Sequence, residues 1–161
     1  MNARNWIAFA ASTLSLAATV AVAQVPQYGP NVTLDQAKKA LAAAQADAKS
    51  KNWPMAIAIV DNAGLLVAFE KLDNTQNGSV MIAQDKAVSA AMLRRPTKAI
   101  QDGVAAGGAG LRLLGLRYAS PVEGGLPLIV DGKIIGGIGV SGMAADQDGV
   151  SAKAGADALL K

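Results

Sequence analysis

The chain predicts an α+β domain whose mainly antiparallel sheet consists of two hairpins flanked by helices. Three observations carry that prediction. Leu126–Gly142 (LPLIVDGKIIGGIGVSG) sets an Asp-Gly pair between two aliphatic, β-branched runs, a strong short-range hairpin pattern. Met55–Lys71 repeats the arrangement around Asp61-Asn62-Ala63-Gly64. The segments around these hairpins space their apolar residues as helices do, giving the order α-ββ-α-ββ-α. A length of 161 residues fits one domain with a real core and is too short for two.

Residues 1–23 read as a signal peptide. Arg4 supplies the positive start, Trp6–Val20 is uncharged and apolar or small, and Ala21-Val22-Ala23 offers small residues at both recognised positions. Cleavage is expected after Ala23, and the product is expected to be periplasmic or secreted. The run is too short and too rich in Ala, Ser and Thr for a comfortable membrane span. No second long apolar run follows, so no stable membrane insertion is expected after cleavage. Residues 24–32 carry Pro and Gly and read as a flexible lead-in, leaving 33–161 as the single domain.

Thr33-Leu34-Asp35-Gln36 is a capping box. Leu34, Ala37, Leu41, Ala44 and Ala48 then form one narrow apolar stripe, so a surface helix runs to about Asn52. Its alanines imply close approach to a partner. Trp53-Pro54 breaks the helix. Met55–Val60 has the branching of a buried strand, and Leu65–Lys71 returns after the turn. Ser79–Arg94 reads as the second helix, with Ile82, Lys86, Ala90 and Leu93 on one face. Lys86 in that line has two readings: a lysine whose stem lies on the core while its ammonium stays wet, or an ammonium at a pocket edge awaiting an anion. Arg94-Arg95 ends the helix before Pro96. The two guanidiniums suit the helix dipole, or form a clamp for a carboxylate.

Thr97–Val104 adds a short helix, and Ala105–Leu116 reads as a Gly-rich loop without the GxxxxGK[ST] phosphate pattern. Arg117–Gly125 is irregular and holds Glu123 beside the permissive Gly124 and Gly125. Both strands of the second hairpin are apolar at nearly every position, so both faces should be covered, by helices or by another subunit. Asp146 or Asp148 is expected to cap a last helix reaching about Leu160.

The chain has no histidine and no cysteine. That excludes disulfides, Ser-His-Asp and Cys-His catalysis, the usual zinc sets, and His-ligated or thioether-attached haem. No metal site is expected from the acidic residues, because Asp61, Asp73, Asp146 and Asp148 lack calcium-loop spacing. A formal charge of +3, with its basic residues scattered and aromatics scarce, does not suit nucleic acid. Gly137–Gly142 matches GxGxxG, but inside a hairpin strand, so no nucleotide is expected. Gly136, Gly137 and Gly139 instead let a helix, a subunit or a ligand lie flat on the strand.

The runs AIAIVDNAGLLVAFEKLDN at 56–74, AQDKAVSAAMLRRPT at 83–97 and EGGLPLIVDGKIIGGIGVSG at 123–142 resemble the GlcG/HbpS family, which is similar to the C-terminal domain of PduO-type cobalamin adenosyltransferases. The resemblance implies an antiparallel-sheet protein that forms homo-oligomers, and exported members are linked to haem binding and redox sensing. Without histidine, an iron ligand would have to be Thr97 in the matching RPT motif, Met81, Met92, Met143 or Tyr118. The leading expectation is an exported protein binding haem or a related anionic tetrapyrrole, with Lys86, Arg94, Arg95, Thr97, Glu123, Gly124 and Gly125 around the ligand. A metal-independent enzyme acting on a small carboxylate is the first alternative, with Lys86 and Glu123 as its acid/base groups. An oligomeric accessory acting through a protein partner is the second.

Overall fold

The structure, a computed structural model, describes residues 25–160; the expected signal peptide lies outside them. Helix α1 spans Leu34–Ser50, followed by strands β1 (Ala56–Asp61) and β2 (Leu66–Lys71). Helices α2 (Ser79–Leu93) and α3 (Thr97–Ala105) lead into a 3-10 segment, Gly108–Gly115, where a loop was expected. Strands β3 (Gly125–Val130) and β4 (Lys133–Ser141) precede helix α4 (Ala145–Asp157) and a closing 3-10 turn. The four strands form one sheet in the order β2-β1-β4-β3, antiparallel throughout.

Local chemistry sets the ends of these elements. Thr33 Oγ1 accepts the Gln36 N–H at 3.2 Å while the Gln36 side chain accepts the Thr33 N–H at 2.9 Å, so both halves of the capping box form. Asp61 Oδ1 accepts the N–H groups of Ala63 and Leu65 at 2.8 and 2.9 Å, closing the first hairpin as an Asx turn. In the second hairpin, Asp131 and Gly132 have φ of 50° and 72°, the doubly positive pair that matches strand twist.

Helices α1 and α4 cover one face of the sheet and α2 the other. Strand β1 is therefore apolar on both sides. Its Ile57 and Ile59 join Ala40, Ala44, Ala48, Ile138 and Val140 under α1 and α4. Its Ala56, Ala58 and Val60 meet Ala83, Ala87 and Ala91 of α2. Gly137 and Gly139 of β4 lie directly beneath α2, and a Cβ on Gly139 would collide with the Ala83 carbonyl oxygen. The expectation that these glycines admit a flat-lying element is met by α2.

Residues 27–32, read as a lead-in from their Pro and Gly punctuation, lie along β4. Gln27 and Ile134 pair at 2.9 Å, the Gly29 N–H donates to Ile134 O at 2.8 Å, and the Val32 N–H donates to Ile135 O at 2.7 Å. Val32 is buried. The backbone groups of β4 that would otherwise lack partners at this end supply the reason.

Candidate functional site

Lys86 is on the sheet-facing side of α2, where its neighbours are alanines and glycines. Its side chain runs past the end of the sheet into the layer beneath. There Nζ donates to Val140 O at 3.0 Å and to Asp148 Oδ2, in the first turns of α4, at 2.7 Å. Gly124 makes the passage possible: its φ is +125°, and a Cβ there would stand 2.7 Å from Lys86 Nζ. The ammonium is neither solvated nor at a pocket edge, for Lys86 is 1 % exposed. Sequence spacing missed this because the partner lies on a distant helix.

Asp148, expected as a cap, is itself 2 % exposed. Its Oδ1 accepts the Met143 N–H at 3.0 Å, and the Gly142 N–H also points to it. Gln147 takes the capping role, accepting the Ala144 N–H at 3.2 Å. Burial pushes the Lys86 ammonium below its ordinary range, opposed by Asp148 and Glu123. Burial likewise raises the Asp148 carboxyl, opposed by Lys86 and the two backbone N–H groups.

Glu123 donates its N–H to Gln101 Oε1 at 2.8 Å. Its carboxylate lies over Gly149 of α4, where a Cβ would stand 2.7 Å from Oε1. Thr97 is completely buried, and its hydroxyl accepts the Gly125 N–H at 2.9 Å and donates to Gly125 O at 3.5 Å. Lys86, Thr97, Glu123, Gly124 and Gly125 thus come together, as a packed junction. Thr97 cannot reach an iron, because its hydroxyl is enclosed and committed to the backbone.

Arg94 and Arg95 do not join that junction. Arg94, at φ 53°, caps α2 in the left-handed conformation and places its guanidinium 5.5 Å from the centre of the Tyr28 ring. The Tyr28 hydroxyl donates to Ala91 O at 3.0 Å and Met92 O at 3.1 Å. Arg95 is exposed and donates to Leu93 O at 3.1 Å. Tyr28 bridges to Ile134 near the start of β4, whereas Lys86 reaches Val140 near its end.

Two concavities lie elsewhere. A polar groove of about 530 Å³ runs between the end of α1 and the 70–74 segment, with Lys49, Trp53, Glu70, Lys71 and Asp73 on its walls. A cleft of about 270 Å³ separates α2 from residues 117–121 and is lined by Asp85, Val88, Arg117, Tyr118, Ser120 and Pro121. The Ser120 N–H donates to Ser89 Oγ at 3.0 Å, which ties this segment to the helix. Arg117 lies 5.4 Å from the centre of the Tyr118 ring, and neither its guanidinium nor the Tyr118 hydroxyl has a carboxylate or hydrogen-bond partner among the described residues. Met81 and Ile82, one turn before Asp85, are exposed. Sequence reasoning treated 117–125 as irregular; the adjacent Arg-Tyr pair was its signal. Among the described residues no group of three or more acidic, His or Cys side chains is placed to hold a metal ion, and no helix is long and apolar enough to cross a membrane.

A family described as "Haem degrading protein HbpS-like" matches residues 32–157. Protein GlcG of Escherichia coli K12 is 39% identical over 101 residues, covering 63% of this chain and 74% of that protein. A double mutant of HbpS from Streptomyces reticuli superposes with a TM-score of 0.76 at 27% identity, covering 94% of this chain and 99% of the other. A PduOC–haem complex superposes with a TM-score of 0.73 at 26% identity, covering 81% and 99%.

Proposed function

The chain belongs to the HbpS-like family, and from that premise we propose that it is an exported protein that binds haem or a related anionic tetrapyrrole. The observation that carries the reading is the cleft beside α2. It sets Val88, Ala119 and Pro121, with Met81 and Ile82 exposed beyond them, beside the Arg117 guanidinium, which has no ion-pair partner among the described residues although the Asp85 carboxylate shares the lining. A flat, largely apolar ring bearing carboxylates suits that combination. The cleft also holds a phenol oxygen, that of Tyr118, in a chain without histidine or cysteine, and at about 270 Å³ it would take an edge of such a ring and not the whole of it. The haem complex of PduOC supports the choice of ligand class.

When bound, haem would supply an iron able to change valence. Arg117 would pair with a propionate, Val88 would pack on the ring, and the Ser120–Ser89 bond would hold the far wall in place. The junction around Lys86 serves as the frame behind this wall. The carboxylate-enzyme alternative requires an arginine beside Lys86 and Glu123, and within the chain Arg94 and Arg95 lie at the other end of β4. Assembly of copies belongs to the same proposal: β2 is an edge strand, and Leu65 and Leu66 at its start are 65 % and 51 % exposed.

Titration of the purified chain from residue 24 onward with haemin, followed by the Soret band, tests ligand binding. A shifted and saturating band is expected. A free-haemin spectrum at micromolar protein would overturn the reading. Export is checked separately by intact mass of the periplasmic protein, with cleavage after Ala23 expected.

A further inference from the structure

Asn77-Gly78 is the one Asn-Gly pair in the chain, and the fold gives it a particular setting. Residues 72–78 join β2 to α2. The Leu72 N–H donates to Met55 O at 2.9 Å, Thr75 is buried, and Gln76 Nε2 donates to Ser79 Oγ at 3.0 Å. The loop is thus pinned on both sides of its exposed crest, Gln76–Gly78. On that crest the Lys71 ammonium, at the end of β2, donates to Asn77 Oδ1 at 2.8 Å. The Gly78 N–H has no hydrogen-bond partner among the described residues, and a Cβ at Gly78 would meet nothing within 4 Å. An amide carbon, an uncommitted nitrogen one residue on, and a cation on the carbonyl oxygen are therefore neighbours. Asn31, Asn52, Asn62 and Asn74 lack this combination, because each is followed by a residue whose side chain crowds the next nitrogen.

We infer that Asn77-Gly78 is a self-modifying site, at which the Gly78 nitrogen displaces the Asn77 side-chain amide as ammonia with the assistance of the Lys71 ammonium. The Gly78 nitrogen attacks Asn77 Cγ and yields its proton to water, while the carbonyl electron pair moves onto Oδ1. The negative charge thus develops on the atom that Lys71 already holds. The Cγ–Nδ2 bond then breaks, the departing nitrogen takes a proton from water, and a five-membered succinimide remains. Water opens that ring at either carbonyl, giving aspartate or its isoaspartyl isomer. One water is consumed and one ammonia released, with no oxidation or reduction. Glycine lets the backbone swing toward the side chain. The bonds that begin α2, from the N–H groups of Ser79, Val80 and Met81, are each 3.2 Å long, at the weak end of the usual range, so this end yields readily. The product is also accommodated. Helix α2 has no side-chain cap and no acidic residue in its first turn, and the new carboxylate would lie at its N-terminus beside Lys71. The formal charge of the chain falls by one from +3. None of this depends on the haem reading.

The experiment incubates the purified protein at mildly alkaline pH in heavy-oxygen water and compares it with Gly78→Ala, Lys71→Met and Asn77→Asp. In the wild type, ammonia should be released and the heavy oxygen should enter the tryptic peptide Leu72–Lys86 first, at position 77. Gly78→Ala should slow this by about tenfold or more, because the added methyl crowds the attacking nitrogen without straining the fold. Lys71→Met should slow it by about threefold, the worth of one exposed charged contact. In concentrated urea the wild type and Lys71→Met should react at the same rate, since the contact belongs to the fold and not to the sequence. Asn77→Asp should release no ammonia from this peptide and should unfold at a urea concentration equal to or above that of the wild type. Label entering another asparagine first, a wild-type rate no faster than that of Gly78→Ala, equal native rates in wild type and Lys71→Met, or a Lys71 effect that persists in urea would each overturn the inference. All three positions are exposed, so far-ultraviolet dichroism should show every variant folded before incubation.

Discussion

Lys86→Met should be among the most damaging conservative changes in the chain. Methionine retains most of the stem but removes the ammonium that holds Asp148 at 2.7 Å and Val140 O at 3.0 Å. Two unit charges at that separation attract by about 6 kcal/mol at an effective dielectric constant near 20. Desolvation of both ions offsets part of this, so the net worth of the pair is small; deleting one partner nevertheless leaves the other charge buried, a loss of about 3–5 kcal/mol. That is a large share of a total stability of about 5–15 kcal/mol. Urea denaturation at neutral pH measures it. Adding Asp148→Asn should recover more than half of the loss, because the amide oxygen still accepts from Gly142 and Met143 without burying a charge. The deficit should also shrink in acid, where Asp148 takes up a proton and no charge remains to be compensated. The wild type carries a related signature. The Asp148 pKa is raised in the fold, so its contribution is full below the unfolded value and is lost as pH rises through the folded one. The Lys86 pKa is lowered, so its contribution is full above the unfolded value and is lost as pH falls through the folded one. A deficit in Lys86→Met below about 1 kcal/mol, or one unchanged between acid and neutral pH, would refute this account of the junction.

Two further substitutions probe the same frame. Gly139→Ala should cost about 2–3 kcal/mol or more in the same urea assay, because a Cβ would meet the Ala83 carbonyl and force α2 off the sheet. Thr97→Val should cost about 1–3 kcal/mol, since it leaves the buried Gly125 N–H without its acceptor, and should leave the haemin spectrum unchanged because Thr97 is enclosed.

The hairpins were legible because their determinants are local. Asp131-Gly132 and Asp61–Gly64 encode their turns within four residues, and the apolar runs around them encode burial. The use of Gly137 and Gly139 as a bed for an overlying element was readable too, since a strand gives up side chains only where something lies close. Lys86 was hard to place for the opposite reason. Helical spacing showed it among apolar neighbours, but its meaning depends on Asp148, which meets it only once α2 and α4 cover opposite faces of the sheet. Arg94 and Arg95 were grouped with it by proximity in sequence, and the αL turn at Arg94 sends them the other way. The contact of Arg94 with Tyr28 depends on residues 27–32 pairing with β4, a parallel contact that punctuation by Pro and Gly conceals. The Arg117–Tyr118 pair lies in a segment with no periodicity, where composition names the groups and only the fold places them against α2.

The central ladder has a kinetic consequence. Strand β1 pairs with β4 from Ala56↔Ser141 to Asp61↔Gly136, so the two strands at the middle of the sheet come from positions about half the chain apart. Each hairpin can close on its own within microseconds, whereas this seam must wait until the intervening helices stop wandering, and loop closure over such a span is what slows folding. Until it closes, β1 and β4 each present an unpaired, strongly apolar edge to other chains. In dilute solution the two halves should find each other; at high concentration the open edge of β1 in one molecule is well placed to accept β4 from another, and exchange of hairpins between copies becomes the characteristic error of this fold.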